Sequence, residues 1–258
     1  MTRDLHTGLA ENGCGMYQPR IYRHWIKDAD LVSFNAVVRE TDLHIRATRN
    51  LEDEALQSIV KHRTPLEEYI RCHPLFLASL EPCLVEEYAP DIVKEMAEAA
   101  RLAGVGPMAA VAGAIAEAVG RDLLAYSPEI IVENGGDIFM KASRTRLIGI
   151  YAGNSPLTGK VALEIEPDEM PLGICTSSGT VGHSLSFGVA DAAIVLSRST
   201  ALADAAATAI GNRVKTVDDI AAAVELAQSI EGVVGVVVIR DDKMCLWGRV
   251  KIARSAVS

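Results

Sequence analysis

Apolar and polar residues alternate along the early part of the chain. Leu31 to Val38 and Leu43 to Ala47 follow a period of two around Arg39-Glu40-Thr41-Asp42, which predicts two strands joined by a hairpin turn. The β pattern extends back to Tyr17, and residues 1 to 16 read as a loose tail. The period then lengthens. One helix is predicted from Asn50, with Asp53 three residues on. A second is predicted from Thr64, with Pro65 at its first position, Glu67 completing a capping box and Pro74 ending it. Pro90 opens a third helix, which runs to a glycine cap at Gly104. Gly104-Val105-Gly106-Pro107 leads into a fourth, Met108 to Tyr126. Its small residues, Ala109 to Ala116, let another backbone pack closely, so it reads as a buried central helix; alternatively, its free N–H groups face an anion.

Past Tyr126 short apolar runs dominate. Strands are predicted at 129–133, 138–141, 147–151, 161–165, 172–175 and 192–196. Ser199 caps a helix ending near Gly211, and Thr216 with Asp219 caps another reaching Ile230. Residues 233–239 and 244–252 close the chain as a β pair about Asp241-Asp242. Glu166-Pro167-Asp168-Glu169 is an exposed acidic connection. Strands and helices mix without regular βαβ alternation, which predicts an α+β fold in one domain spanning 17–258.

Composition narrows the classes. The net charge of −9, with its cations scattered, argues against a nucleic-acid partner, and Arg20, Arg23, His24 and Lys27 read as a solvated strand edge. Five cysteines, far apart and without a C-x-x-C pair, argue against a disulfide framework or a structural zinc site. Cys72, Cys83 and Cys245 are read as packing. The longest apolar run, Val105 to Val119, falls short of the ~20 residues of a membrane span, and the start carries no secretory signal. The expectation is a cytoplasmic protein with no membrane partner. A homo-oligomer is compatible with the sequence.

Three stretches carry candidate chemistry. Ile130-Ile131-Val132-Glu133 stops in Asn134-Gly135-Gly136-Asp137, where two glycines permit a tight turn or close approach to a ligand. Cys175-Thr176-Ser177-Ser178-Gly179 leads to His183, and small hydroxyl residues with glycines suit phosphate oxygens. His183 is a candidate acid, base or phosphate donor, and Cys175 a candidate thiolate. Asp204 and Thr208 lie one turn apart on an Ala-rich helix. No Lys or Arg sits three or four residues from Asp204, so a divalent cation such as Mg²⁺ is one way to compensate a buried carboxylate. The other reading has Asp204 facing solvent and Thr208 bonding back to its own helix.

Arg39-Glu40-Thr41-Asp42-Leu43, Gly106-Pro107-Met108-Ala109-Ala110-Val111-Ala112-Gly113, Glu133-Asn134-Gly135-Gly136-Asp137 and the run from Cys175 to Ser184 resemble a bacterial and archaeal family within the ApbE-like superfamily. The best-known members of that superfamily are flavin transferases, which bind FAD and Mg²⁺ and move FMN onto a protein threonine. The resemblance implies the ApbE-like fold, with mixed and antiparallel sheets packed against helices. It implies Mg²⁺ at Asp204 and Thr208, with a main-chain carbonyl near Ala112 or Gly113. It also implies a phosphate-bearing ligand, FAD or another nucleotide, along Asn134 to Asp137 and Thr176 to Gly179. The transferases carry His followed by Asp-Pro-x-Thr-Gly, whereas His183 is followed by Ser184-Leu185-Ser186. Ser155-Pro156-Leu157-Thr158-Gly159 occurs in the wrong order, and their Lys in the small-residue helix is Glu117 here. The leading expectation is therefore a metal-dependent nucleotide binder or transferase with an incomplete transfer motif. The alternatives are a reduced-sulfur factor using Cys175 and a non-catalytic binding subunit that docks through the loop at Asp168.

Overall fold

The computed structural model describes residues 30–179 and 188–255. Residues 1–16, the basic stretch Arg20 to Lys27 and His183 lie outside them. Strands β1 (Val32–Val38), β2 (Thr41–Ala47), β3 (Ile130–Asn134), β4 (Asp137–Lys141), β7 (Leu172–Ser177), β8 (Ala192–Ser197), β9 (Val233–Arg240) and β10 (Lys243–Gly248) form one antiparallel sheet in that order. A second sheet holds β5 (Arg146–Gly149), β6 (Val161–Ile165) and β11 (Ile252–Arg254), with β6 in the middle. Helices α1 (Glu52–Cys72), α2 (Pro74–Ala78), α3 (Asp91–Ala103), α4 (Val111–Leu123), α5 (Thr200–Arg213) and α6 (Ile220–Ser229) complete the α+β architecture.

The large sheet is covered on both faces, which explains its nearly continuous apolar strands. Ile130 and Val132 join the helical core with Phe139, Val195, Val236 and Val238. Ile131, Met140, Ile174, Ile194 and Val237 point the other way and pack on Ile148, Leu163 and Ile165 of the small sheet. Period-two alternation assigns neighbouring residues of one strand to two different cores.

Three boundaries depart from expectation. Glu52–Cys72 is one helix, not two, and Pro65 sits inside it. Ala55, Ile59, Leu66 and Tyr69 continue one buried stripe across the proline, and that burial outweighs the roughly 3 kcal/mol an interior proline costs. Glu67, expected to cap, instead pairs with Arg63 at 2.8 Å. The fourth helix opens with a 3-10 turn over Pro107–Ala110 before α4 begins. The closing β pair is cut at Gly248, whose φ is 83°. The chain leaves the large sheet there, and Ile252 pairs instead with Leu163 of the small one.

The hairpin of β1 and β2 turns on Arg39 and Glu40, with Arg39 at φ 54°. Gly104 caps α3 in the left-handed conformation, and the Ser199 hydroxyl accepts from the Leu202 N–H at α5. Pro167 and Asp168 are exposed as expected, in a 3-10 turn, while Glu166 beside them accepts from Thr145 and Lys251. No single helix among the described residues is long and apolar enough to cross a membrane.

Candidate functional site

Asn134-Gly135-Gly136-Asp137 is a two-residue hairpin turn, with Asn134 opposite Asp137 and Gly135 at φ 71°. Positive φ at the first central residue is why a glycine is needed there. Period two then aims Asn134, Asp137, Cys175 and Ser177 at the sheet face that the helices cover. Asp137 and Cys175 are register partners on β4 and β7.

Helices α4 and α5 meet over this face at Gly113. A Cβ there would lie 2.4 Å from the Thr200 carbonyl oxygen and 2.8 Å from the Asp204 Cβ, so only glycine permits the approach. Two carboxylates cross the contact in opposite senses. Asp204 Oδ2 on α5 accepts from the Gly113 N–H at 2.9 Å, at the start of α4. Glu117 Oε2 on α4 accepts from the Thr200 N–H at 2.7 Å, at the start of α5. Each acid sits where free N–H groups and the helix dipole favour negative charge. The anion expected at the glycine-rich helix start is thus the side chain of Asp204, half-buried rather than turned to bulk solvent.

Compensation remains incomplete. Burial, reinforced by the charge of Asp137, raises the Asp204 pKa well above the usual carboxylate range, while the Gly113 and Ala112 N–H groups pull it down. Burial pushes Asp137 up to about 7, and Glu133 adds to the rise, against the Cys175 thiol and the Thr176 N–H. Asp137 Oδ1 is buried without a hydrogen-bond partner among the described residues, and so is Thr200 Oγ1. Leaving a buried acceptor unpaired costs about 1–3 kcal/mol. No three His, Cys, Asp or Glu side chains gather as a metal cage among the described residues. The available donors are two carboxylates, hydroxyls and carbonyls, the oxygen set that Mg²⁺ prefers.

The remaining candidates fall into place around this centre. Thr208 is half-buried one turn beyond Asp204. Asn134 Nδ2 donates to the Ala112 carbonyl at 3.1 Å, so the carbonyl expected as a ligand, which as an early residue of α4 also takes the N–H one helical turn on, is already engaged. The Thr176 N–H donates to the Gly136 carbonyl at 3.1 Å, tying the two loops together. Ser177 and Ser178 are half-buried; Gly179 is exposed, and its N–H donates to Ala190.

Cys175 is fully buried and its thiol donates to the Thr200 carbonyl at 3.4 Å. Burial, then the charges of Asp137 and Asp204, push the thiol well above its ordinary value, so it stays neutral at physiological pH. Cys72, expected to pack, is exposed, because it ends α1 at the surface; Cys83 and Cys245 are partly buried against the core. Labelling with a disulfide reagent at neutral pH is therefore expected to modify the exposed Cys72 in the native protein, with Cys175 reacting only in denaturant. Peptide mass spectrometry checks this, and fast labelling of native Cys175 would contradict the burial.

A family model described as AbpE bacteria matches residues 23–237. The UPF0280 protein of Methanocaldococcus jannaschii is 44% identical over 220 residues, covering 83% of this chain and 89% of that protein. The chain belongs to this family. The UPF0280 protein of Methanocella arvoryzae is 45% identical over 222 residues, covering 85% and 90%. The fold of this UPF0280 family member is that of the flavinyl transferase ApbE of Pseudomonas stutzeri, with a TM-score of 0.50 at 13% identity, covering 84% of this chain and 94% of that one.

Two features distinguish the site in this chain. The Ser155-Pro156-Leu157-Thr158-Gly159 segment lies in the loop between β5 and β6, where its Ser155 hydroxyl donates to the Asp241 carbonyl at 2.6 Å. Its Thr158 hydroxyl accepts from the Ala152 N–H and donates to the Gly153 carbonyl, so that hydroxyl serves the turn. It lines a cavity of about 270 Å³ with Asn154, Asp191, Asp241 and Asp242, separate from Asp204. Asp191 there is satisfied by Arg240 at 3.3 Å and the Asp241 N–H at 2.6 Å. The second feature is Glu117, which is fully engaged with Thr200 and with Arg121, its salt-bridge partner at 2.5 Å. The sequence signal for it was available: Glu117 is the one acid between Val105 and Val119.

Proposed function

We propose that this protein binds a phosphate-bearing ligand through a divalent cation held at Asp204. The observation that carries the reading is the pair Asp137 and Asp204: burial raises the cost of ionising both carboxyl groups, the charge of Asp137 raises that of Asp204 further, and only N–H and thiol groups act against this. A cation relieves both at once, whereas a proton on each would leave the oxygen-rich face without a use. Asp204 and Thr208 would hold Mg²⁺, with Asp137 beside them.

When bound, the ion would neutralise phosphate charge. Asn134 to Gly136 and Thr176 to Gly179 would border the ligand, with main-chain N–H and hydroxyl groups in reach of phosphate oxygens. A flavin nucleotide is the first ligand to test, since the fold neighbour is a flavinyl transferase. The neutral, buried Cys175 takes no part beyond packing and its bond to Thr200.

Isothermal titration with Mg²⁺ or Mn²⁺, with and without FAD, FMN and ATP, tests this. The wild type is expected to bind nucleotide only with the metal present. Asp204→Asn is expected to weaken metal binding by about 100-fold or more, the amide being a poorer ligand for a hard cation. Absence of metal-dependent heat with every nucleotide would overturn the reading.

A further inference from the structure

We propose that Glu117 is a positioning residue for the cation site, holding the start of α5 so that Asp204, one turn later, faces the ligand. This inference rests on the reading that Asp204 binds a cation.

The geometry is a reciprocal lock. Gly113 and Glu117 lie one turn apart on α4, and Thr200 and Asp204 lie one turn apart on α5. Gly113 N–H reaches Asp204, and Glu117 reaches the Thr200 N–H. The two helices are thereby pinned at both ends of a single turn, across a contact so close that Gly113 admits no Cβ. Glu117 is buried to 2% exposure, and its other oxygen pairs with Arg121, so the carboxylate is held from two sides.

Thr200 needs this bond more than an ordinary first-turn residue does. Its N–H has no intrahelical acceptor, its side chain is fully buried, and its Oγ1 has no partner among the described residues. Its carbonyl also takes the Cys175 thiol. Thr200 is therefore the pivot on which β7, α4 and α5 meet. Without an acceptor at position 117, the N–H of that pivot is orphaned, and α5 loses the contact that fixes its rotation about Gly113. Residues that orient a metal ligand from behind typically contribute 10–100-fold in affinity.

The test uses full-length protein with Mn²⁺ as probe, read by titration calorimetry, together with amide exchange at Thr200 followed by NMR. Glu117→Gln keeps an oxygen acceptor and is expected to bind Mn²⁺ within about threefold of wild type, with the Thr200 amide still protected. Glu117→Ala is expected to bind at least tenfold more weakly, with that amide exchanging freely. Glu117→Asp, too short to reach Thr200, behaves like the alanine variant and decides the question if Glu117→Ala does not fold. Equal Mn²⁺ affinity in Glu117→Ala or Glu117→Asp, where Asp204→Asn abolishes binding, would overturn the role of Glu117 alone. Failure of the wild type to bind Mn²⁺, or unimpaired binding by Asp204→Asn, would overturn the cation site and this role with it.

Discussion

Replacing Asp137 with asparagine is expected to flatten a fall in stability that the metal-free protein shows as pH rises from about 4 to above 7. The folded state holds the Asp137 proton up to about pH 7, against 3.8 for an ordinary aspartate. A raised carboxyl pKa means that folding binds protons, so its contribution is largest below the unfolded value and is lost as pH rises through the folded one. At about 1.36 kcal/mol per unit, the span corresponds to a loss of up to about 4 kcal/mol, and Asp204 shifts in the same direction. The amide of the Asp137→Asn variant has no proton to titrate in this range, so it removes its share of the slope. Asp122 works in the opposite sense: against the cost of burial, Lys61, Ser58 and His62 lower its pKa, so its contribution is lost on acidification. The measurement is therefore the difference between wild type and Asp137→Asn in urea midpoint at each pH from 4.5 to 8.5. Parallel curves for the two proteins would contradict the assignment. With the proposed cation site, saturating Mg²⁺ is expected to raise the wild-type midpoint more at pH 8 than at pH 5, because cation and proton would compete for the same oxygens.

Phe139→Ala is expected to cost about 3–5 kcal/mol, the range for truncating a buried aromatic ring. Phe139 is the largest of the fully buried side chains and sits on β4 under α4. Its ring fills the space that a side chain at Gly120 would take, since a Cβ there would fall 2.2 Å from the ring. Helix and sheet have settled around this ring with backbone on one side, so the cavity left by alanine closes poorly. The urea midpoint should drop with the m-value unchanged. Mn²⁺ affinity at the proposed site should change little, because Gly113, whose N–H holds Asp204 of α5, lies two turns away along α4. A loss below 1 kcal/mol would mean that α4 collapses onto the sheet more freely than its packing indicates.

Much of the architecture was legible in local pattern. Period two marked the hairpin of β1 and β2, and the capping residues Gly104 and Ser199 marked ends of α3 and α5. These signals are local because the hydrogen bonds that make them lie within a few residues of each other. The division of 50–72 into two helices shows the limit of such signals. Thr64-Pro65 and Glu67 read as a helix start, but the stripe from Ala55 to Tyr69 is set by what packs on it, and that is distant in sequence.

The candidate site divides in the same way. Sequence alone singled out Asp204 by its apolar surroundings and the lack of a cation on its own helix, and the Asn-Gly-Gly-Asp turn by its glycines. It could not say that the group facing Asp204 is the N–H of Gly113, which lies 91 residues earlier. Nor could it pair Glu117 with Thr200 across 83 residues, or show that burial, with the charges of Asp137 and Asp204 added, keeps the Cys175 thiol neutral. Periodicity and caps depend on neighbours along the chain, so residue order determines them. The charge state of a carboxyl or a thiol depends on what the fold brings within a few ångströms and how much water it removes, and only the tertiary structure decides that.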